Sequence, residues 1–412
     1  MRKRLTYLLC VALIFGPLFL NAQSNVYQIT GKVYDKEANE TLPFASVFLA
    51  NTTYGVPTNK EGNYRLQVPK AGTYMMIVSF IGYETFKKQI TLDEQKEIVI
   101  DVAMAPATNS LGEHVVTHYK RRGYYEEDGK KIATRGPMWK VYLGHFERNF
   151  LGTSRFGVTS KIMNPEVLRF EIDEEDSSFK AFASDQLIVE NNGLGYQINY
   201  VLEDFDLSFK EKSTEYSGYP LFTEMEPRNE RQRLNWKRNR WRAYRGSMRH
   251  FFLSLYQDNF EEKGFEVTML DVDMLLNGPK NRIFGRNPAF DPPKQLAYTS
   301  FRPGGLLPSK LHEGAKTIWF EEVMLVTDGN NIEDNGYIRP PQQAMLFDFE
   351  MQANRRLLQR SWIQLKGKKP IQIASNGYIY NPLDFEVFGY WSYERVGELL
   401  PFYFSQENMN DQ

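Results

Sequence analysis

Nine cations fall from Arg228 to Arg249: Arg228, Arg231, Arg233, Lys237, Arg238, Arg240, Arg242, Arg245 and Arg249. Trp236, Trp241 and Tyr244 are interleaved with them. Guanidinium forks match phosphate and carboxylate geometry, and flat rings beside them add cation–π attraction. Arg238, Arg242, Arg245, Arg249 and Trp236 are therefore the residues assigned to anion or partner binding. Trp241, Tyr244, Met248, Phe252 and Leu255 keep an i, i+3/i+4, i+7 stripe, so one face of this helical stretch must be core. The competing account is a solvated face whose arginines pair with nearby acids.

Other chemistry-bearing patterns are weaker. His114 and His118 stand four apart in HVVTH. Helical zincins use that spacing, but the glutamate base is missing and Val115-Val116 favours a strand, so no metal site is assigned. Ser247 precedes His250 by three residues in GSMRH, whereas a hydrolase elbow needs G-x-S-x-G at a strand-to-helix turn. This stretch reads as mid-helix, with Ser247 a small residue for close packing and His250 near the core edge. Carboxylates cluster at Glu171, Asp173, Glu174, Glu175 and Asp176, and again at Glu203, Asp204 and Asp206. Glycosidases need two carboxylates facing each other across a bond. Acid runs after strands more often form solvated turns. No catalytic residue and no cofactor is assigned.

The chain that must position these groups has 412 residues, a formal charge of −1 and 14% aromatic residues. That length allows two or three domains, and near-neutral charge gives no global pull toward nucleic acid. Residues 1–22 read as a signal peptide: Met1-Arg2-Lys3-Arg4 is basic, 5–20 is apolar, and Leu20-Asn21-Ala22 precedes the cleavage point. The single cysteine, Cys10, lies inside this segment, so the expected mature chain has no disulfide and no thiolate chemistry. No second segment reaches membrane-spanning length. The expected location is the periplasm or the outer membrane, by export.

Between 25 and 105 the apolar residues alternate. Tyr27, Ile29 and Val33 share one side of a strand; Ala45, Val47 and Leu49 repeat the pattern, as do Tyr64, Leu66 and Val68. A period of two means one buried face and one wet face. Asn59-Lys60-Glu61-Gly62-Asn63 and Lys70-Ala71-Gly72 supply turns. About seven short strands at this spacing predict a β-sandwich. The stretch 75–81 is apolar on both faces and is expected to be a central strand.

The strings GKVYD, LPFASVFL, TNKEGNYRLQVP and YMMIVSFIGYE resemble the carboxypeptidase regulatory-like domain, a transthyretin-type sandwich found in front of TonB-dependent receptors. The resemblance implies an accessory module without the zinc ligands of a carboxypeptidase, which argues against that activity. LGEHVVTHY, at 111–119, resembles the segment joining this sandwich to a receptor plug. Residues 106–135 are read as a flexible or edge-strand connector.

Residues 136–412 are expected to form a larger α+β domain with a helical insertion between β-rich halves. The reading includes a helix over 138–150, a hairpin turn at Asn191-Asn192-Gly193, two helices within 230–262, a long loop over 277–309 and a strand at 345–349. FLGTS, NNGLGYQINYVLEDF, AYRGSMRHFFLSL and GYWSYERVGELLP resemble a family of uncharacterised secreted proteins that carry the same sandwich, which implies architecture and location but no mechanism. The fold expectation is mainly β with α+β. The functional expectation is an exported, non-enzymatic binding or scaffold protein of the bacterial envelope, beside outer-membrane nutrient-uptake machinery. Its expected partners are envelope proteins, anionic glycans or lipid headgroups, not nucleic acid. The alternative is an envelope hydrolase acting on glycan or peptide through carboxylates of the second domain.

Overall fold

The computed structural model describes residues 26–93, 95–107, 123–127, 129–270, 299–300, 307–309, 312, 314–321, 323–337, 357–367 and 369–404. The expected signal peptide, the 111–119 segment with both its histidines, most of the 277–309 loop and the 345–349 strand lie outside the described residues. Among the described residues, no helix is long and apolar enough to cross a membrane.

The alternation seen in the sequence folds as a two-sheet sandwich. Its strands are β1 (Tyr27–Asp35), β2 (Ser46–Leu49), β3 (Gly55–Pro57), β4 (Asn63–Val68), β5 (Gly72–Ser79), β6 (Phe86–Leu92), β7 (Glu97–Val99) and β8 (Val102–Met104). One sheet runs β4-β1-β7, with β8 also on β1; the other runs β3-β2-β5-β6. β7 and β8 pair in parallel with successive halves of β1, at Gln28–Thr30 and Val33–Asp35, and so behave as one interrupted strand. β4 shows the period of two: Tyr64, Leu66 and Val68 are buried while Asn63, Arg65 and Gln67 are exposed. The turn before it is fixed by Asn59, whose Oδ1 accepts from the Glu61 and Asn63 amides at 3.1 and 2.8 Å.

A larger sheet opens the second unit: β9 (Tyr125–Glu127), β10 (Lys130–Ala133), β11 (Ser160–Ile162), β12 (Leu168–Asp173), β13 (Ser178–Ala183), β14 (Leu187–Asn191), β15 (Tyr196–Ser208) and β16 (Ser213–Glu224). Its order is β11-β14-β15-β13-β12-β10-β9, with β16 on β15. Strands β9 and β10 belong to this sheet, so the second unit begins within the stretch read as a connector. Helix α1 (Gly136–Phe150) starts with a proline in its first turn, where no amide partner is lost. It lays Phe146 and Phe150 on the sheet, with Phe146 stacked on Phe150 at 4.8 Å and tilted against Phe205 at 4.6 Å. Trp139 ties the helix down through Nε1 to the Leu168 carbonyl at 2.9 Å.

Helices α2 (Glu230–Tyr244) and α3 (Met248–Tyr256) follow. The mid-helix placement of GSMRH is corrected here. Gly246 takes φ +79° and stops α2, and the Ser247 side chain accepts from the His250 amide to start α3. A further five-stranded sheet brings together Thr299–Ser300, Phe265–Leu270, Val323–Ile332, Leu358–Leu365 and Phe385–Gly389, and a smaller sheet pairs Leu307–Pro308, Lys316–Ile318 and Ile371–Ile373. A one-turn helix, α4 (Tyr390–Tyr393), closes the chain's aromatic end. The architecture is mainly β with an α+β second unit and a helical insertion.

The two units are packed together. In the loop between β2 and β3, the Asn51 amide donates to the Pro220 carbonyl at 2.7 Å, the Phe222 amide to the Thr52 carbonyl at 2.9 Å, and the Phe402 amide to the Asn51 carbonyl at 2.7 Å. Asn376 Nδ2 donates to the Thr73 carbonyl at 2.7 Å. Phe48, Ala50 and Ile77 of the sandwich share a buried cluster with Val201, joined by Met75, Tyr219 and Leu221. This explains why β5 is apolar on both faces. Tyr74, Met76 and Val78 face the sandwich core, while Met75 and Ile77 face the second unit. The central-strand expectation therefore holds for β5, which lies between β2 and β6, although Ile81 beyond it is exposed.

Candidate functional site

The basic helix divides by depth. Trp236 is buried and donates through Nε1 to the Asn192 carbonyl at 2.8 Å. It fits there because Gly195, at φ +71°, has no side chain; a Cβ would strike the indole. Arg240 lies 3.9 Å over the Tyr196 ring and donates to the Leu194 and Gly195 carbonyls at 2.8 and 3.0 Å. Arg245 donates to Asn331 at 3.0 Å. Arg249 donates to the carbonyls of Pro401 and Phe404, both at 3.0 Å, and to that of Phe402. Burial pulls its guanidinium down to about 10. Arg238 and Arg242 are on the exposed face, where Arg238 meets Asn235. The five assigned residues thus do not converge. Three of them tie the helices to the second unit, and two face solvent.

The acid runs are on the surface or paired. Glu171 meets Lys130 at 2.5 Å, Glu174 meets Lys131, and Asp173 Oδ1 accepts from the Glu175 and Asp176 amides. Glu203 forms an ion pair with Lys87 of the sandwich, so this acid serves the contact between the units. Among the described residues, no cluster of three histidine, cysteine or acidic side chains could hold a metal ion.

Two features were not singled out in the sequence. The first is a pair of acids in the aromatic string YWSYERVGELLP. Glu398 accepts from the Ser154 hydroxyl and from the Phe156 amide at 3.3 Å. Burial raises its carboxyl to about 7, against those hydrogen bonds and with Asp334 adding repulsion. Burial also pushes Glu394 well up, helped by the charges of Glu398 and Asp328. Around this pair the four strings that resemble secreted proteins meet. The Gly397 amide donates to the Leu151 carbonyl at 3.0 Å, Asn191 Nδ2 to the Gly397 carbonyl at 2.7 Å, and Trp391 Nε1 to the Gly246 carbonyl at 2.6 Å. FLGTS, NNGLGY, the α2–α3 junction and the α4 region form one knot.

The second feature is a cavity of about 480 Å³ between the two units. The sandwich contributes Thr52, Tyr54, Lys70 and Tyr74. The second unit contributes Tyr244, His250, Lys263, Phe402 and Tyr403. Glu394 and Glu398 are not among the lining residues, and none of the lining residues is acidic. His250 is 7% exposed. Burial first, then the charges of Lys263, Arg245 and Arg249, pull its imidazole down to about 4. The Gly246 amide donates to its Nδ1 at 3.3 Å, so the neutral ring carries its proton on Nε2. Ser247 caps α3 and donates to the Tyr244 carbonyl at 2.8 Å, which commits it to structure.

This geometry defines a two-unit body with a cleft lined by rings and basic side chains, whose first unit is a β-sandwich. Residues 29–116 match the family model of the CarboxypepD_reg-like domain, so the sandwich is that domain. The match runs past Met104 into the connector. No curated protein matches the chain. Solved structures show only slight likeness. Catechol 1,2-dioxygenase from Acinetobacter sp. ADP1 is 13% identical over 22% of this chain and 56% of that one, less than two thirds of its length, with a TM-score of 0.19. A candidate carbohydrate binding protein from Bacteroides uniformis is 9% identical, over 48% of this chain and 79% of that one, with a TM-score of 0.17. A DUF3823 family protein from Parabacteroides merdae is 8% identical, over 47% and 80%, with a TM-score of 0.16.

Proposed function

We propose that this is an exported binding or scaffold protein of the bacterial cell envelope, in which the sandwich and the second unit together form the binding body. The carrying observation is the cavity between the units, walled by tyrosines and basic side chains drawn from both. Rings and donors suit holding a ligand, and Ser247 is held as a helix cap. The basic N-terminal segment followed by an apolar run supports export. The CarboxypepD_reg-like domain supports work beside outer-membrane uptake machinery, by the company that domain keeps. Fractionation of cells expressing the full chain tests the reading. Mature protein, shortened at its N-terminus, is expected in the periplasm or with the outer membrane. Recovery of the full-length chain only in the cytosol would end it.

A further inference from the structure

The cavity's size, about 480 Å³, lies inside the range of small-molecule sites, roughly 300–1,000 Å³. Its lining has a consistent chemical sign. Lys70 comes from the sandwich and Lys263 from the second unit, so a cation stands on either side of the junction. His250, more than nine-tenths buried, lines the void with a neutral ring that accepts from the Gly246 amide at Nδ1, so Nε2–H is its donor. Arg249 adds positive charge behind the wall, 5.8 Å from the Tyr244 ring centre and 5.3 Å from that of Phe402. No lining side chain is a carboxylate that could repel an anion. The Tyr74, Tyr403, Thr52 and Ser254 hydroxyls already donate within the protein, that of Tyr403 to Glu224 behind it, so the lysines and His250 are the groups that select a negatively charged ligand. The rings select a second property. Tyr54 and Tyr403, with centroids 6.4 Å apart, and Tyr74 and Tyr244 offer flat apolar faces with hydroxyl edges. A sugar presents that combination, with C–H faces for the rings and hydroxyls for the polar edges.

We propose that the cavity between the units binds an anionic saccharide, a sugar carrying a carboxylate or a phosphate. Lys70 and Lys263 hold the acid group, and His250 Nε2–H donates to a ring or hydroxyl oxygen. The tyrosine faces pack against the C–H face. Because the two lysines belong to different units, the ligand binds only while the units remain docked. This inference rests on reading the protein as a binding protein and names the ligand class of that site.

Isothermal titration of the mature protein with three probes tests it: digalacturonic acid, glucose 6-phosphate and neutral cellobiose. One acidic probe is expected to bind at least about ten-fold tighter than cellobiose, and which one it is separates carboxylate from phosphate recognition. Lys70→Glu, at an exposed loop position, is expected to weaken that binding about ten-fold or more with an unchanged unfolding midpoint. Lys263→Glu and His250→Gln should weaken it as well, with near-ultraviolet circular dichroism as the check on folding. Binding of cellobiose as tight as that of the acids, or no binding by any probe, overturns the proposal. So does acidic-probe binding that survives Lys70→Glu and Lys263→Glu together. A protein that fractionates with the envelope yet binds none of the probes loses this ligand class and keeps the envelope reading.

Discussion

At the scale of residues, two buried titratable groups set opposite pH slopes. Glu398 has its native pKa raised to about 7 from 4.5, so the native state keeps a proton that the unfolded chain has lost. Its contribution is fullest below 4.5 and falls as pH rises toward 7. His250 runs the other way. Its native pKa is lowered to about 4 from 6.5, so the unfolded chain binds the extra proton. Its contribution is fully present above 6.5 and is lost as pH falls toward 4. Between 4.5 and 6.5 the falling slopes of Glu398 and Glu394 oppose the rising slope of His250; above 6.5 the His250 slope is spent, and that of Glu398 fades past about 7. Glu398→Gln is therefore expected to raise stability at pH 8 by about 2 kcal/mol and to leave it nearly unchanged at pH 5. Urea midpoints measured at both pH values check this, and an equal shift at the two values would contradict it. His250→Gln should flatten the acid limb of the same profile. The acids that matter were legible only in part. Runs such as Glu171 to Asp176 draw the eye, yet they are solvated or paired for the very reason that several charges cannot be buried together. The buried carboxyls are instead the two glutamates set among aromatic residues in YWSYERVGE. His250 was expected near the core edge and is found there, but the cavity beside it was not foreseeable, because its other wall comes from the sandwich.

At the scale of elements, the junction of α2 and α3 shows what a period of 3.6 conceals. The stripe from Trp241 to Leu255 fits one continuous helix, and the sequence offers only Gly246-Ser247 as a counter-signal. The structure uses that dipeptide as stop and start. A Cβ at Gly246 would meet the buried Asp328 carboxylate, in a backbone conformation that side chains rarely adopt. Gly246→Ala is thus expected to destabilise the protein by about 2–4 kcal/mol. Chemical denaturation measures it, and a change under about 0.5 kcal/mol would mean the junction is a plain helix. Arg249 is the second element-level device. Its three bonds to the carbonyls of Pro401, Phe402 and Phe404 clasp that segment to α3. Arg249→Met should raise amide exchange across 400–404 at least about ten-fold while leaving β15 and β16 protected. Nothing in the local pattern told a clasp from an anion fork. Both need an arginine beside aromatic rings, and the carbonyls it meets lie about 150 residues away in the chain.

At the scale of the whole molecule, the sandwich was the most legible part and its role the least. Alternation and turns located its strands, because the period of two is a local signal. The docking of its β5 face was written in the same residues: Met75 and Ile77 make the second face of that strand apolar. A strand covered on both sides implies a neighbour, but sequence alone does not name it. The structure names the second unit, and the cavity, the Lys87–Glu203 pair and the backbone bonds at Asn51 and Thr52 all follow from that contact. Contacts of this extent predict that the two units unfold as one body. All six tryptophans, at 139, 236, 241, 319, 362 and 391, belong to the second unit. Tryptophan fluorescence thus follows that unit alone. Leu66→Ala opens the sandwich core, where Leu66 is 2% exposed, and such a truncation costs about 2–5 kcal/mol. The decisive measurement is the urea midpoint of this variant read by tryptophan fluorescence. If the units are one body, that midpoint falls together with the transition read by circular dichroism. A tryptophan midpoint unchanged from the parent protein, beside a separate earlier transition in circular dichroism, would mean that the units unfold independently and are not one body.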